Sequence, residues 1–373
     1  MDFALSQEQS ILRDSARRFC RTHYAGPPRS PFAAGRPFLD RSHWREIADL
    51  GWLGVGLSAE GDGAGAIDMA VLLEEIGRAL CPLPLMVNAV LAGRLLEAAQ
   101  ESEADSSLLS SLTSGETIVA VALDATGVQS AQPDATAARA SDGSHILQGR
   151  KTLVLGAADA DLIVVAARTS GVAGQSQGLS LFAVAPDAPG LTRQSYILLD
   201  GSPAADLTLD NVRALRAIGR DGEACAAIAS AVDHAILALS AEAIGVMTRL
   251  LNDTVKYLKG RRQYGAALSS YQALQHRAAD MLIEVELSRS MLYRALAFLN
   301  RPEARAEAVA ACKYQVSRSA KAVGAAALQL HGAIGMADQS IAGQGFKRLR
   351  TLAGLFGDAD HHLERLAALA FAG

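Results

Sequence analysis

Two arginines, an amide and an aromatic ring stand in a row at Arg261-Arg262-Gln263-Tyr264, ahead of a stretch where Leu274, Ala278, Met281 and Val285 recur every three or four residues. That recurrence predicts a helix with one apolar face. A helix N-terminus carries unsatisfied N–H groups and about half a positive charge, so a basic cluster at its mouth can hold an anion. A guanidinium adds two-pronged contact to a phosphate, and the ring adds a surface for stacking. The same residues would also serve as a solvated basic turn before a core helix.

Other candidates for chemistry are weaker. Cys20, Cys81, Cys225 and Cys312 are scattered and form no C-x-x-C pair. They read as buried thiols in a reducing compartment, not disulfides or zinc ligands. His361 and His362 are adjacent and cannot share one helical face, so they are not read as metal ligands. Gly61 to Gly65 has no strand before it and no lysine after it, and reads as a loop, not a phosphate cradle.

The elements that must position these residues fall into three zones. Residues 1–112 are helical by period, and the chain opens with Ser6 and Gln9 in capping-box spacing and Ile11, Leu12, Ala16 and Phe19 on one side. Residues 113–216 turn to short strands at Ile118–Leu123, Lys151–Leu155, Asp161–Ala166, Leu179–Ala185 and Ala205–Leu209. Polar loops are expected at Asp124–Gly143 and Thr169–Gly178. Close strands without helices between them predict an antiparallel barrel or sandwich and argue against a nicotinamide-binding unit. Residues 217–373 are rich in Ala and Leu with long periodic stretches, which predicts a four-helix bundle. With 373 residues, 50% of them hydrophobic, the chain can bury two or three cores. A net charge of -4 gives no reason to expect nucleic acid or an anionic membrane as partner. The first residues lack a signal peptide's apolar core, and no apolar run is expected to reach the roughly 20 residues that span a bilayer, so a soluble, cytoplasmic protein is expected.

The segment RRQYGAALSSYQALQHRAADM resembles the R-x-Q-[FY]-G…Q…H…AD-M signature of the acyl-CoA dehydrogenase family. QLHGAIGMADQSIAGQGFKRLR resembles its Q-x-x-G-G-x-G motif and the arginine-bearing segment beyond, and Gly51 to Pro84 resembles its N-terminal domain. The ending KRLRTLAGLFGDADHHLERLA is most similar to the small subunits of two-subunit members, such as that of pimeloyl-CoA dehydrogenase. The resemblance spans essentially the whole chain. It implies an α+β, mainly α fold: an N-terminal helical domain, a central antiparallel β-barrel and a C-terminal four-helix bundle. It also implies FAD as cofactor, an acyl-CoA substrate and an electron-transfer flavoprotein as acceptor.

Carried over by motif, the FAD-binding residues are Arg261, Gln263, Tyr264, Gln272, Gln329, Gly332 and Ala333, the last in place of the motif's second glycine. Family members remove the substrate's α-proton with a glutamate while the flavin accepts the β-hydride. Here Gly357 stands at the usual glutamate position, and Ala235 at the alternative one, with Asp233 and His234 out of register. Asp358 and Asp360 fit a helix cap better than a base. The family's T-E-P loop corresponds to Leu123-Asp124-Ala125-Thr126-Gly127, and its W-x-T to Leu153-Val154-Leu155, so the flavin-ring contacts are missing too. Lys347, Arg348 and Arg350 could meet cofactor phosphates or form a basic helix face, and His331 could touch flavin or be a packed, hydrogen-bonded histidine.

What remains is the half that serves a neighbour's flavin, and what is lost is the half that serves the chain's own. The resemblance therefore implies a non-catalytic subunit, paired with a catalytic homologue in a heterotetramer of fatty acid or steroid side-chain β-oxidation. A self-sufficient homo-oligomeric flavoenzyme with a displaced base and a flavin-free scaffold are the alternatives.

Overall fold

The computed structural model describes residues 4–24, 39–57, 64–123, 135–139, 142–171, 175, 177–337 and 339–371. The first helix, α1 (Gln7–His23), starts at the capping box its spacing predicts: Ser6 Oγ accepts from Gln9 N (3.1 Å) and Gln9 Oε1 accepts from Ser6 N (3.0 Å). It buries Ala16, Phe19 and Cys20. Ile11, expected on that side, is exposed, because one residue of offset from Leu12 turns it about 100° off the buried line. Then come α2 (Arg41–Asp49), capped by Asp40, and α3 (Ala64–Ala79). Gly61–Gly63 of the glycine-rich break lie outside the described residues, and Gly65 is inside α3. A buried π-helical turn, Met86–Ala92, leads into α4 (Gly93–Ala98) and α5 (Glu103–Thr113).

Eight strands follow: β1 (Val119–Ala122), β2 (Ala135–Arg139), β3 (His145–Leu155), β4 (Leu162–Arg168), β5 (Leu179–Val184), β6 (Leu191–Ile197), β7 (Pro203–Arg213) and β8 (Arg216–Ile218). They form one sheet in the order β6-β7-β3-β2-β4-β5-β8, with β1 on β4. Two expectations need correction here. The sheet is mixed, not antiparallel: β1 runs parallel to β4, and β2 meets β4 in parallel as well. Among the described residues it is also open, ending at β6 and β8. Alternation of side chains predicts that strands exist but not their direction. The β2–β3 hairpin carries the chain away from β1, so β4 returns alongside β1 in the same sense. Three strands were missed, one of them the three-residue β8 beyond the last expected strand. β2 lies inside an expected polar loop, and β6 is an edge strand whose residues are almost all exposed.

The C-terminal part holds α6 (Cys225–Gly260), a small hairpin of β9 (Arg262–Gln263) and β10 (Ala266–Ala267), then α7 (Gln272–Phe298), α8 (Pro302–His331), α9 (Ile341–Gly354) and α10 (Ala359–Phe371). So three long helices and two short ones stand where a four-helix bundle was expected. α6 is in fact long and apolar enough to cross a bilayer over an 18-residue window, contrary to the sequence reading, but 78% of that window is buried inside the protein. It is a core helix. α7 buries Met281, Val285, Ser288 and Leu292, and leaves Leu282, Ile283 and Leu287 about half exposed on its other side.

The described residues form two compact units. One takes those of Met1–Ala34, Glu60–Cys81 and Ile236–Gly373, and the other those of Gly35–Ala59 and Pro82–Ala235. In the first, α3 and α6 cross where neither has a side chain. A Cβ on Gly77 would strike the Glu242 carbonyl, and one on Gly245 the Glu74 carbonyl. Ion pairs flank the crossing: Arg17–Glu75 (2.9 Å), Arg289–Glu74 (2.9 Å) and Arg348–Glu242 (2.6 Å). In the second unit, Asp161 accepts from Arg41 (2.8 Å) and from the Ile118 N–H (3.0 Å), which fixes the start of β1.

Candidate functional site

The Arg261 segment does not open a helix, as its sequence suggested. It closes one. The Arg261 N–H donates to the Tyr257 carbonyl (2.8 Å) at the C-terminal end of α6, and β9 and β10 then pair Gln263 with Ala266. The two residues between, Tyr264 (φ +49) and Gly265 (φ +81), both have positive φ, as a tight two-residue hairpin turn demands. That turn explains the glycine in Arg-Gln-Tyr-Gly and pushes the Tyr264 ring into solvent, 93% exposed. Tyr271 OH braces the hairpin by donating to the Gln263 carbonyl (3.2 Å), and Gln272 begins α7. Arg261, Gln263 and Gln272 are all exposed. The anion-binding argument therefore rests on the guanidinium and the amides, not on a helix N-terminus.

The second motif forms the end of α8. Gln329 lies in its last turn, and Gly332 (φ +62) follows as the cap. A Cβ on Gly332 would meet nothing within 4 Å, so its backbone is open to close approach from outside. Ala333, where the motif has glycine, is exposed. Gly335 is needed for packing: its Cβ would lie 3.1 Å from Leu328 O. The His331 ring stacks on Tyr257, centroids 4.6 Å apart, and its Nδ1 donates to the Ala327 carbonyl (2.8 Å). It is the packed histidine of the two readings. This stack brings the Arg261 segment and the Gln329–Ala333 segment to one end of the helices. Arg348 turns inward to Glu242, while Arg350 stays exposed.

At the Gly357 turn, where the resemblance placed the base, Asp358 is exposed and Gly357 has no side chain. Phe356 (φ +55) and Gly357 (φ +92) are both left-handed, and a Cβ on Gly357 would collide with the His361 ring. Asp358 is exposed and accepts from the His361 N–H (3.0 Å) at the start of α10. That hydrogen bond holds its carboxyl below the usual range, which suits a helix cap and not a proton acceptor. Ala235 is fully buried, and the neighbouring His234 donates from Nδ1 to the Ser230 carbonyl (2.8 Å).

Sequence reasoning missed what holds this turn. Lys313 is fully buried, and its Nζ donates to the carbonyls of Leu352 (2.8 Å) and Ala353 (3.0 Å). Ser317 Oγ adds a bond to Ala353 O (3.3 Å), and His362 Nε2 donates to Phe356 O (2.9 Å). Burial pushes the Lys313 amine down to about 7 and the His362 ring down to about 4. A lysine within the apolar run AVAACKYQV was the available signal.

The segments that the resemblance aligned with the flavin ring are apolar where they are described. Leu123 and Val154 are buried and Leu153 and Leu155 partly so, while Asp124–Gly127 lie outside the described residues. Leu153 sits in a β-bulge at φ +55, and its N–H donates to Asp206 Oδ1 (2.9 Å), which also accepts from Tyr196 OH (2.8 Å). Burial and Asp206 raise the Tyr196 hydroxyl to about 12. The polar groups of this edge already satisfy one another.

Comparison with known proteins gives the same outline. The N-terminal, middle and C-terminal domains of acyl-CoA dehydrogenases match residues 6–116, 120–212 and 225–370. A variant of the Tcur3481–Tcur3483 steroid ACAD is 32% identical, with 98% of each chain covered and a TM-score of 0.85. PigA with FAD and proline is 26% identical over 100% of both chains, at a TM-score of 0.88. The acryloyl-CoA reductase (NADH) of Anaerotignum propionicum is 26% identical, covering 90% of this chain and 87% of that one. FAD is the cofactor of this fold, and the open Gly332 backbone with exposed Arg261, Gln263 and Gln329 fits its phosphate-bearing part. Fold, motif geometry and domain matches agree that this chain belongs to the acyl-CoA dehydrogenase family, the FAD-dependent oxidoreductases that act on acyl-CoA thioesters.

Proposed function

We propose that this chain is the non-catalytic subunit of a heteromeric acyl-CoA dehydrogenase and completes the FAD site of a catalytic homologue. The observation that carries the reading is the Gly357 turn. Position 357 has no side chain, and its left-handed backbone would point a Cβ into the His361 ring. A positioned base contributes about 10²–10⁴-fold to such a reaction, and a glycine at position 357 cannot supply it. The Arg261 and Gln329–Ala333 segments meanwhile stay exposed at one end of the helices. FAD, when bound, supplies the hydride acceptor. Arg261 would pair with its pyrophosphate, and Gln263, Tyr264, Gln272, Gln329, Gly332 and Ala333 would line the same half of the cofactor. The partner's carboxylate would take the α-proton of the acyl-CoA, and an electron-transfer flavoprotein would receive the electrons. The 32% identity to a steroid ACAD named by two components supports both the pairing and a bulky acyl group. Domain boundaries near residues 112 and 216 belong to the same reading.

The test is purification of this chain alone with excess FAD, and together with a homologue that has the T-E-P loop and the glutamate. Flavin absorbance and acyl-CoA oxidation are expected only in the mixture. A yellow, active single chain would establish the self-sufficient enzyme instead. A colourless chain whose partner is fully active without it would make it a scaffold.

A further inference from the structure

Two rings outside the assigned cofactor-binding set join the two segments of the half-site. Tyr257 and His331 stack with centroids 4.6 Å apart and planes 26° from parallel. Tyr257 lies in the last turn of α6 and is tied to Arg261, whose N–H donates to the Tyr257 carbonyl (2.8 Å). His331 is the last residue of α8, two after Gln329 and immediately before Gly332 and Ala333. Its Nδ1–H donates to the Ala327 carbonyl (2.8 Å), so the ring is fixed by a hydrogen bond within its own helix and by the neighbouring ring. Both residues are half-buried. The contact thus runs from the arginine backbone, through two rings, to the backbone of the glycine segment.

A ligand that engages both segments gains from having them pre-set, because otherwise its binding must order them. Both segments are chain ends of helices, where fraying is easiest. We propose that the Tyr257–His331 stack is a clasp that positions Arg261 against Gln329, Gly332 and Ala333, so that FAD retention depends on two rings acting through their neighbours. They are positioning residues. The inference rests on the reading that this half-site holds the partner's FAD. An aromatic pair of this kind is worth up to about tenfold in an equilibrium constant.

The experiment uses the complex with the catalytic partner and measures FAD affinity by flavin release on dilution, with subunit ratio and thermal unfolding as controls. Arg261→Ala tests the underlying reading, and a loss of about tenfold or more in affinity is expected. His331→Ala and Tyr257→Leu test the clasp, each expected to weaken FAD by about three- to tenfold with assembly intact. His331→Phe, which keeps a ring but no nitrogen, should return affinity to within about twofold of wild type. A merely structural role would shift unfolding without this rescue of flavin affinity. If Arg261→Ala loses flavin while His331→Ala and Tyr257→Leu do not, the clasp is wrong and the half-site stands. If Arg261→Ala also keeps its flavin, the half-site reading itself fails. If His331→Ala weakens binding and His331→Phe does not rescue it, the histidine acts through its nitrogen, which overturns the clasp. Should His331→Ala fail to assemble, Tyr257→Leu, which leaves the His331–Ala327 bond in place, decides the matter.

Discussion

A carboxylate at position 357 would need its Cβ where the His361 ring now lies, on a backbone at φ +92 that side chains rarely adopt. Gly357→Glu is therefore expected to create no dehydrogenase activity and to destabilise the chain by about 1–3 kcal/mol. Asp358→Asn, beside it, should leave turnover of the complex within about twofold. A hundredfold loss there, at normal flavin content, would identify Asp358 as the base and defeat the non-catalytic assignment. His362 gives a pH signature. Its folded pKa of about 4 lies below the ordinary 6.5, so between those values the unfolded chain binds a proton that the fold does not. Stability should accordingly fall as pH drops from 6.5 to 4, by about 3 kcal/mol at most from this residue. Urea midpoints at the two pH values check it: His362→Gln should flatten the slope, and an unchanged slope would assign the acid sensitivity elsewhere. The positions proposed for the base and for FAD binding could be picked out in the sequence because motif spacing is fixed. Lys313 and the Tyr257–His331 stack could not, because each joins residues at least 39 or 74 positions apart through packing alone.

At the scale of elements, the α3–α6 crossing sets the tightest constraint. Gly245 faces the Glu74 carbonyl and the Arg78 N–H of α3, and both are backbone that cannot rotate away. Gly245→Ala is expected to cost about 2–3 kcal/mol or more in chemical denaturation. Gly354, whose Cβ would meet nothing within 4 Å, is the control, and Gly354→Ala should stay within about 1 kcal/mol. Equal effects at the two sites would mean that the helices part easily. Helix α1 was readable from period and capping, and α7 from its period. The β6 edge carries no apolar alternation, and β2 is built from small residues, so neither gave a signal. Strand direction depends on the path of the chain between strands, which pattern alone does not record.

For the whole molecule, the proposed pairing makes a quantitative demand. On that proposal, two of these chains with two catalytic homologues should hold about one flavin per two chains, because Leu153 and Leu155 would stand in place of the ring contacts. Mass measurement of the co-purified complex, with flavin counted by absorbance, checks both numbers together. A flavin on every chain would show that this subunit's own ring site still works. Three-zone order from helix to strand to helix was visible in the sequence; the opening of the sheet was not. The Gly357 turn also bears on descent. One base change converts two of the four glycine codons to glutamate, so a side chain at this position can be a single mutation away. With His361 in its path and Phe356 already turned left-handed, that mutation would add a carboxylate without the backbone that could aim it. If the proposed pairing holds, a lineage that settles into this turn stays committed to its partner.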